Sequence, residues 1–184
     1  MELAEFANSV LHEGIGIYSI RLYPSAGGFH FEIQLDGINH PRGAVNLADC
    51  ESYSRHFAEK LDAELALRKD DYLFIENLAE DNYTLEVSSA GAERELRLPE
   101  DLDRFKELPL KMIYLDGEKK TVKHVIYSRS VIEDGLELFV FLPYLPRGKK
   151  MKAQKMKKNL SDKEIEMLKI PLHDIVRINL FLDF

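Results

Sequence analysis

The sequence is poor in residues and segments that several protein classes require. Its 184 residues include one cysteine, Cys50, and no tryptophan. A single thiol cannot form a disulfide framework within the chain, and it suits a reducing compartment such as the cytoplasm. No apolar run approaches the roughly 20 residues that span a bilayer, and the acidic residues 1–5 lack the basic start of a signal peptide. We therefore expect a cytoplasmic protein without a membrane segment.

The sequence also lacks the recognised signatures of catalysis. It has no Walker-type phosphate loop and no His-Glu-x-x-His, Cys-x-x-Cys or Gly-x-Ser-x-Gly motif. Six histidines are present, and none has a partner at metal-ligand spacing. Ser88 and Ser89 are nucleophiles only in principle, because turn serines more often bond the local backbone. We therefore expect no catalytic residue, no cofactor and no metal ion.

The charges are abundant and unevenly distributed. Apolar residues make up 45% of the chain and charged residues 31%, a balance typical of a globular protein. Residues 1–108 hold 10 Lys/Arg and 22 Asp/Glu, whereas residues 109–184 hold 15 Lys/Arg and 10 Asp/Glu. This asymmetry indicates two units with different partners, and it favours the second unit for nucleic-acid contact. Simple attraction between the two oppositely charged parts is the alternative.

The first part of the chain has the apolar periodicity of a small α/β domain, which we place at residues 1–98. Gly14 can end the first helix, and Asp36 and Gly37 end the second strand. The pattern predicts a helix over residues 2–13, strands over 15–23 and 29–35, a long helix from Asn46, and a strand over 83–87.

The long helix has a recognisable start and an inward stripe. Asn46 resembles an N-cap, with Asp49 three residues later in a capping-box-like arrangement. Cys50 lies on the stripe, and without a Cys-His pair we interpret it as a small buried hydrophobe rather than a reactive thiol. The predicted stripe consists of Leu47, Cys50, Ser54, Phe57, Ala58, Leu61 and Leu65.

The second part of the chain is predicted to be mostly strand. A short acidic helix starts after Pro99, and we place a domain junction at residues 99–108. Asp-Gly pairs at 116–117 and 134–135 supply turn signals. Short strands are predicted over 110–115, 121–127, 136–141 and 175–180. They suggest a small barrel over 109–184, with a basic insertion at about 143–169 and a helical turn or two after Ser161.

The strand and turn at residues 83–96 resemble the hallmark of the RimP family of bacterial ribosome maturation factors. The family pattern is Tyr-x-Leu-Glu-Val-Ser-Ser-Pro-Gly followed by Arg and Leu, and Ala90 replaces its proline here, as Glu95 replaces a second one. Two further stretches are similar to family segments: residues 46–51 and 54–55 in the long helix, and residues 170–175 and 182–184 at the end of the sequence. The matching hallmark residues are Tyr83, Leu85, Glu86, Val87, Ser88, Ser89, Gly91, Arg94 and Leu96.

The resemblance implies a fold and a function. The fold is α+β, with an N-terminal α/β domain (helix-strand-strand-helix-strand) and a C-terminal SH3-like, or Sm-like, small β-barrel. The function is ribosome biogenesis: the protein binds the immature 30S subunit and assists its assembly without catalysis. The implied partners are 16S rRNA and a basic ribosomal protein near the decoding centre. We also expect the protein to be a monomer. Family-motif residues at the domain junction are Glu86, Ser88, Ser89, Gly91 and Arg94.

A basic run at residues 147–158 is the first candidate for contact with ribosomal RNA. Its seven cations are too dense to pack in a core, and three lysines on a neighbouring hairpin extend the patch. Aromatic platforms are sparse, which favours recognition of backbone or shape. A solvated loop without a partner is the alternative, and an SH3-like protein-binding adaptor unrelated to the ribosome is the alternative function. The candidate RNA-binding residues are Lys119, Lys120, Lys123, Arg147, Lys149, Lys150, Lys152, Lys155, Lys157 and Lys158.

Overall fold

The computed structural model describes residues 2–67, 74–146 and 167–183. The chain divides into two compact units, an N-terminal unit Met1–Gly91 and a C-terminal unit Ala92–Phe184. The domain limits predicted from the sequence describe segments that fold independently, and they remain a prediction. None of the helices in the described ranges is long and apolar enough to cross a membrane.

The N-terminal unit has the predicted order of helix, strand, strand, helix and strand. The sheet order is β1-β2-β3, with β1 antiparallel and β3 parallel to β2. Parallel neighbours need a crossover connection, and α2 lies in the one between β2 and β3. The elements are α1 Leu3–Asn8, β1 Ile15–Ser25, β2 Gly28–Gly37, α2 Leu47–Leu67 and β3 Tyr83–Ser89.

The core of the N-terminal unit follows from the predicted alternation in β2. Phe31, Ile33 and Leu35 are fully buried, as the period of two requires when one face of a strand is covered. The ring centroid of Phe57 on α2 lies 5.5 Å from that of Phe31 and 5.2 Å from that of Phe6 on α1. The three elements therefore meet in one aromatic cluster.

Two details of the helices differ from the sequence-based expectation. α1 ends at Asn8 instead of residue 13, because the side chains of Asn8 and Ser9 donate hydrogen bonds to backbone oxygens of the same helix. On α2, Leu47 is 74% exposed, whereas Tyr53, which was not on the predicted stripe, is fully buried. The covered part of α2 begins at Cys50, so the first turn contributes no core residue.

The C-terminal unit contains a five-stranded antiparallel sheet in the order β7-β6-β5-β4-β8. The four predicted strands and the short helix after Pro99 are confirmed. β7 was missed, because its four residues follow a segment predicted as helical. The elements are α3 Glu100–Arg104, β4 Leu110–Asp116, β5 Lys119–Glu133, β6 Leu136–Pro143, β7 Leu168–Pro171, a 3₁₀ turn Leu172–Asp174 and β8 Ile175–Leu180.

The predicted hairpin turns are confirmed, and their backbone explains their residues. Asp134 and Gly135, between β5 and β6, have φ of 51° and 79°. Two successive positive φ angles suit a tight hairpin between twisted strands, and aspartate and glycine adopt them most readily. Gly117, which follows β4, has φ of 65° and allows the chain to turn back into β5 in the same way. The strand registers on both sides therefore follow from local sequence.

The second core lies on one face of this sheet. Leu110, Met112 and Tyr114 of β4 are buried, as alternate residues of a half-covered strand should be. Leu102 and Phe105, in and just after α3, are buried in the same cluster. Residues that precede β4 in the sequence thus complete the core of the C-terminal unit.

Candidate nucleic-acid interface

Seven of the ten candidate RNA-binding residues lie within residues 147–166, outside the described residues. They are Arg147, Lys149, Lys150, Lys152, Lys155, Lys157 and Lys158. The RNA contact assigned to them therefore stays a prediction from the sequence. The other three, Lys119, Lys120 and Lys123, lie on β5.

The three lysines of β5 are exposed but do not share one face. Successive side chains of a strand point to opposite faces, so Lys119 and Lys123 lie on one side and Lys120 on the other. Lys123 is opposite the core residue Met112, and its Nζ lies 5.9 Å from the ring centroid of Tyr114. Lys120 therefore lies on the opposite face of the sheet, where its register partner is Leu115.

This opposite face is the outer face of the C-terminal sheet, defined as the face of β8, β4 and β5 away from the core, and it carries other cations. The register places Lys111 between His124 of β5 and Asn179 of β8. Arg177, opposite Ile113, stands in the next row. The outer face consists of Lys111, Ile113, Leu115, Lys120, Val122, His124, Arg177 and Asn179.

Lys111 and Arg177 were missed by the sequence analysis because each is a single cation in a strand. Both side chains are exposed. The available signal was the alternation of Lys111 with Leu110 and Met112, which predicts that it points away from the core. Its proximity to β8 depends on strand order, which the sequence does not reveal.

The family-motif serines of β3 have different surroundings, and Ser89 has a structural role. Its Oγ accepts hydrogen bonds from the backbone N–H of Val45, at 3.1 Å, and of Gly91, at 3.5 Å. Gly91 has φ of 84°, a conformation that favours glycine. The expectation that a turn serine bonds the backbone is confirmed for Ser89, whereas Ser88 is half-buried on the opposite face of β3.

Arg94 of the motif is held inside the C-terminal unit. It is 4% exposed, and its guanidinium carbon lies 4.7 Å from the ring centroid of Phe105. The backbone oxygen of Arg94 accepts a hydrogen bond from the N–H of Leu180 at 3.0 Å, and Leu96 donates to Ile178 at 2.7 Å. A buried guanidinium stacked on a ring stabilises this segment beside β8 and presents little surface to RNA.

The open face of the N-terminal sheet carries acidic side chains. Glu32 of β2 and Glu86 of β3 are register partners, and like charges at directly opposite positions repel. Arg21 lies 3.9 Å from the carboxylate of Glu32, and His30 lies 3.7 Å from that of Glu86. This face therefore combines two glutamates with Arg21 and His30, whereas the outer face of the C-terminal sheet carries Lys111, Lys120 and Arg177.

Cys50 is confirmed as a buried side chain, at 6% exposure. Burial, and then the charge of Asp49, raises the pKa of its thiol, so the reactive thiolate is disfavoured. Among the described residues, no group of three or more His, Cys, Asp or Glu side chains is arranged to hold a metal ion.

Comparisons with known proteins agree along nearly the whole chain. A family model described as the RimP N-terminal domain matches residues 6–93. Ribosome maturation factor RimP of Leptospira interrogans serovar copenhageni is 32% identical over 183 residues, which are 99% of this chain and 96% of the relative. The protein of the same name from Leptospira biflexa serovar Patoc is 30% identical over 181 residues, or 98% and 95% of the two chains. The chain therefore belongs to the RimP family of ribosome maturation factors.

Proposed function

We propose that this protein binds the immature 30S subunit in the cytoplasm, as a monomer, and assists its assembly without catalysing a reaction. The observation that carries this proposal is the near full-length identity of 32% to a curated relative named ribosome maturation factor. An adaptor unrelated to the ribosome gains no support from these relatives.

The charge distribution supports a division of the contacts between the two units. The N-terminal unit holds 6 Lys/Arg and 16 Asp/Glu, and the C-terminal unit holds 19 and 16. In the proposal, the acidic unit contacts a basic ribosomal protein near the decoding centre, where complementary charge speeds encounter and sets register. The C-terminal unit contacts 16S rRNA through Lys119, Lys120, Lys123 and the basic run.

The C-terminal sheet is proposed to close into an SH3-like barrel. β5 has 15 residues and pairs with two strands. Its residues Lys119–Val125 pair with β4, and its residues Val125–Glu133 pair with β6. The register shifts between Tyr127 and Arg129. Such irregularities bend a strand and increase its twist, which is how small sheets curl toward closure.

Co-sedimentation of the full-length protein with ribosomal particles tests the function. At low salt we expect the protein to sediment with free small subunits more than with assembled ribosomes, because an assembly factor acts on the immature particle. Replacing Lys149, Lys150, Lys152 and Lys155 with Gln should weaken binding and reduce its salt dependence, since each phosphate contact releases counterions.

The outcomes separate the two parts of the proposal. Absence of the protein from both fractions would contradict the ribosomal function. An unchanged salt dependence in the four-lysine variant would show that the basic run takes no part, while leaving subunit binding intact.

A further inference from the structure

A concavity lies at one end of the outer face, where β8 ends. Its volume is about 320 Å³, within the range of sites that hold small ligands. It opens to solvent within the C-terminal unit, and Lys119, Lys120 and Lys123 are not among the residues that line it. Its functional groups belong to Glu93, Lys111, His124, Arg177, Asn179 and Phe181.

The backbone places these groups next to one another. Lys111, His124 and Asn179 are register partners on three adjacent strands, so their side chains stand side by side. Asn179 Nδ2 donates a hydrogen bond to the backbone oxygen of Glu93 at 3.1 Å, which orients the amide. Phe181 is held by a hydrogen bond from its N–H to the oxygen of Pro109 at 2.9 Å.

Two aromatic rings form one wall of the concavity. The ring centroids of His124 and Phe181 lie 4.4 Å apart, with an angle of 56° between the planes. Both side chains are half-buried, so each has a fixed position and an accessible part. Aromatic side chains of this kind stack on unpaired bases without strong sequence preference. The fold thus assembles an aromatic platform from residues that are far apart in the sequence.

Two cations line the site, and two carboxylates lie at its edge. Lys111 and Arg177 are exposed, and neither makes an ion pair with an acid of the described residues. Glu93 is exposed at the rim, and the exposed Glu95 stands beside the lining as the register partner of Asn179. Lys111 and Arg177 can contact the single charge of a phosphodiester, whereas the two carboxylates disfavour the higher charge of a free nucleotide. The guanidinium fork of Arg177 suits phosphate oxygens.

We propose that this concavity binds one unpaired nucleotide of an RNA chain. The base stacks against Phe181 and His124, and the adjoining phosphodiester lies between Lys111 and Arg177. This inference rests on the proposed function and deepens it, because it assigns part of the rRNA contact to a single-stranded nucleotide. It also differs from the expectation of recognition by backbone and shape alone.

Fluorescence anisotropy of the full-length protein with a labelled oligouridylate of about 8 nucleotides tests the site. In the variant combining Lys111→Gln and Arg177→Gln we expect affinity to fall at least tenfold at low salt. The salt slope should fall by about 0.7 for each phosphate that the variant no longer neutralises. Phe181→Leu should weaken binding several-fold with an unchanged slope, because it removes stacking and no charge.

The matched control combines Lys106→Gln and Arg129→Gln, which removes two exposed cations of the same unit elsewhere. An equal loss of affinity in this control would overturn the proposed site, because the loss would then depend on the number of cations removed and not on their position. A loss of duplex affinity in the Lys111/Arg177 variant equal to its loss of oligouridylate affinity, competition by free UMP at equal concentration, or wild-type affinity in Phe181→Leu would each overturn it too.

Co-sedimentation of the same variants separates this inference from the proposed function. If the wild type sediments with small subunits while the Lys111/Arg177 variant keeps full affinity for oligouridylate, only the nucleotide site is wrong. If the wild type fails to sediment with small subunits, the proposed function is wrong and the rRNA assignment falls with it.

Discussion

The N-terminal unit packs helices against one face of a three-stranded mixed sheet, whereas the C-terminal unit is built around a five-stranded antiparallel sheet. Their cores are chemically alike, each made of aliphatic residues and phenylalanine or tyrosine. Their open sheet faces are not alike. Glu32 and Glu86 stand opposite each other on the first, and Lys111 and Arg177 occupy neighbouring rows of the second.

This contrast shows that the two sheets differ in the outward rows of their strands rather than in their cores. The buried positions of the inward rows are apolar in both units, because burial of apolar surface is the main driving force for folding. Outward rows are free to vary, and here Glu32 and Glu86 stand on one sheet and Lys111 and Arg177 on the other. A chain with a net charge of −7 can therefore present an acidic surface to one partner and a basic surface to another.

The largest effect should come from disrupting one core while leaving the other intact. Phe57→Ala removes a fully buried ring that contacts Phe6 and Phe31, and we expect it to destabilise the N-terminal unit by about 3–5 kcal/mol. Hydrogen exchange followed by mass spectrometry should show reduced protection in residues 2–67 and retained protection in β4 to β6.

The matched variants complete this test of two separate cores. Phe141→Ala should produce the reverse pattern, because Phe141 is fully buried in the second core. Leu67→Ala, at a residue that is 79% exposed, should leave both units unchanged. Equal loss of protection in both units after Phe57→Ala would mean that the chain unfolds as one cooperative structure.

Alkaline pH should distinguish the units through their tyrosines. In the N-terminal unit burial raises the pKa of Tyr53, and burial together with a hydrogen bond to Asp62 raises that of Tyr83. In the C-terminal unit burial raises the pKa of Tyr127. A raised phenol pKa means that the stabilisation is complete below the unfolded value of about 10 and is lost as pH rises above it.

We therefore expect the N-terminal unit, with two such phenols, to lose stability first above about pH 10. The variant combining Tyr53→Phe and Tyr83→Phe should have a lower free energy of unfolding at pH 8, because it cannot form two hydrogen bonds of the wild type. It should also show a weaker decline between pH 8 and pH 11. Urea unfolding across this range measures both, and an equally steep decline in the variant would contradict the assignment.

The smallest effect should come from the start of α2. Asn46 Oδ1 accepts a hydrogen bond from the N–H of Asp49 at 2.8 Å, so Asn46→Ala should cost about 1 kcal/mol. Asn46→Ser, which retains a capping oxygen, is the matched control and should stay near the wild type. The urea midpoint of the N-terminal unit measures the difference, and equal loss in both variants would exclude capping as the cause.

Much of the fold was predictable because it depends on local pattern. The alternation in β2 and β4 sets which side chains are buried, and the Asp-Gly pair at 134–135 sets a hairpin register. The end of α1 was less predictable, because the side chains of Asn8 and Ser9 compete with the helix backbone and override an apolar period that continues to Leu11.

For the candidate site, the sequence predicted only that its charge would be positive. Local pattern and composition were enough to predict most element types and the opposite charge of the two parts, and the resemblance of residues 83–96 to a known motif indicated the family. Strand pairing decided that Lys111, Arg177 and Phe181 share one concavity. The physical reason is that periodicity acts between neighbours in the chain, whereas the hydrogen-bonded order of the strands joins β4 to β8 across most of the C-terminal unit.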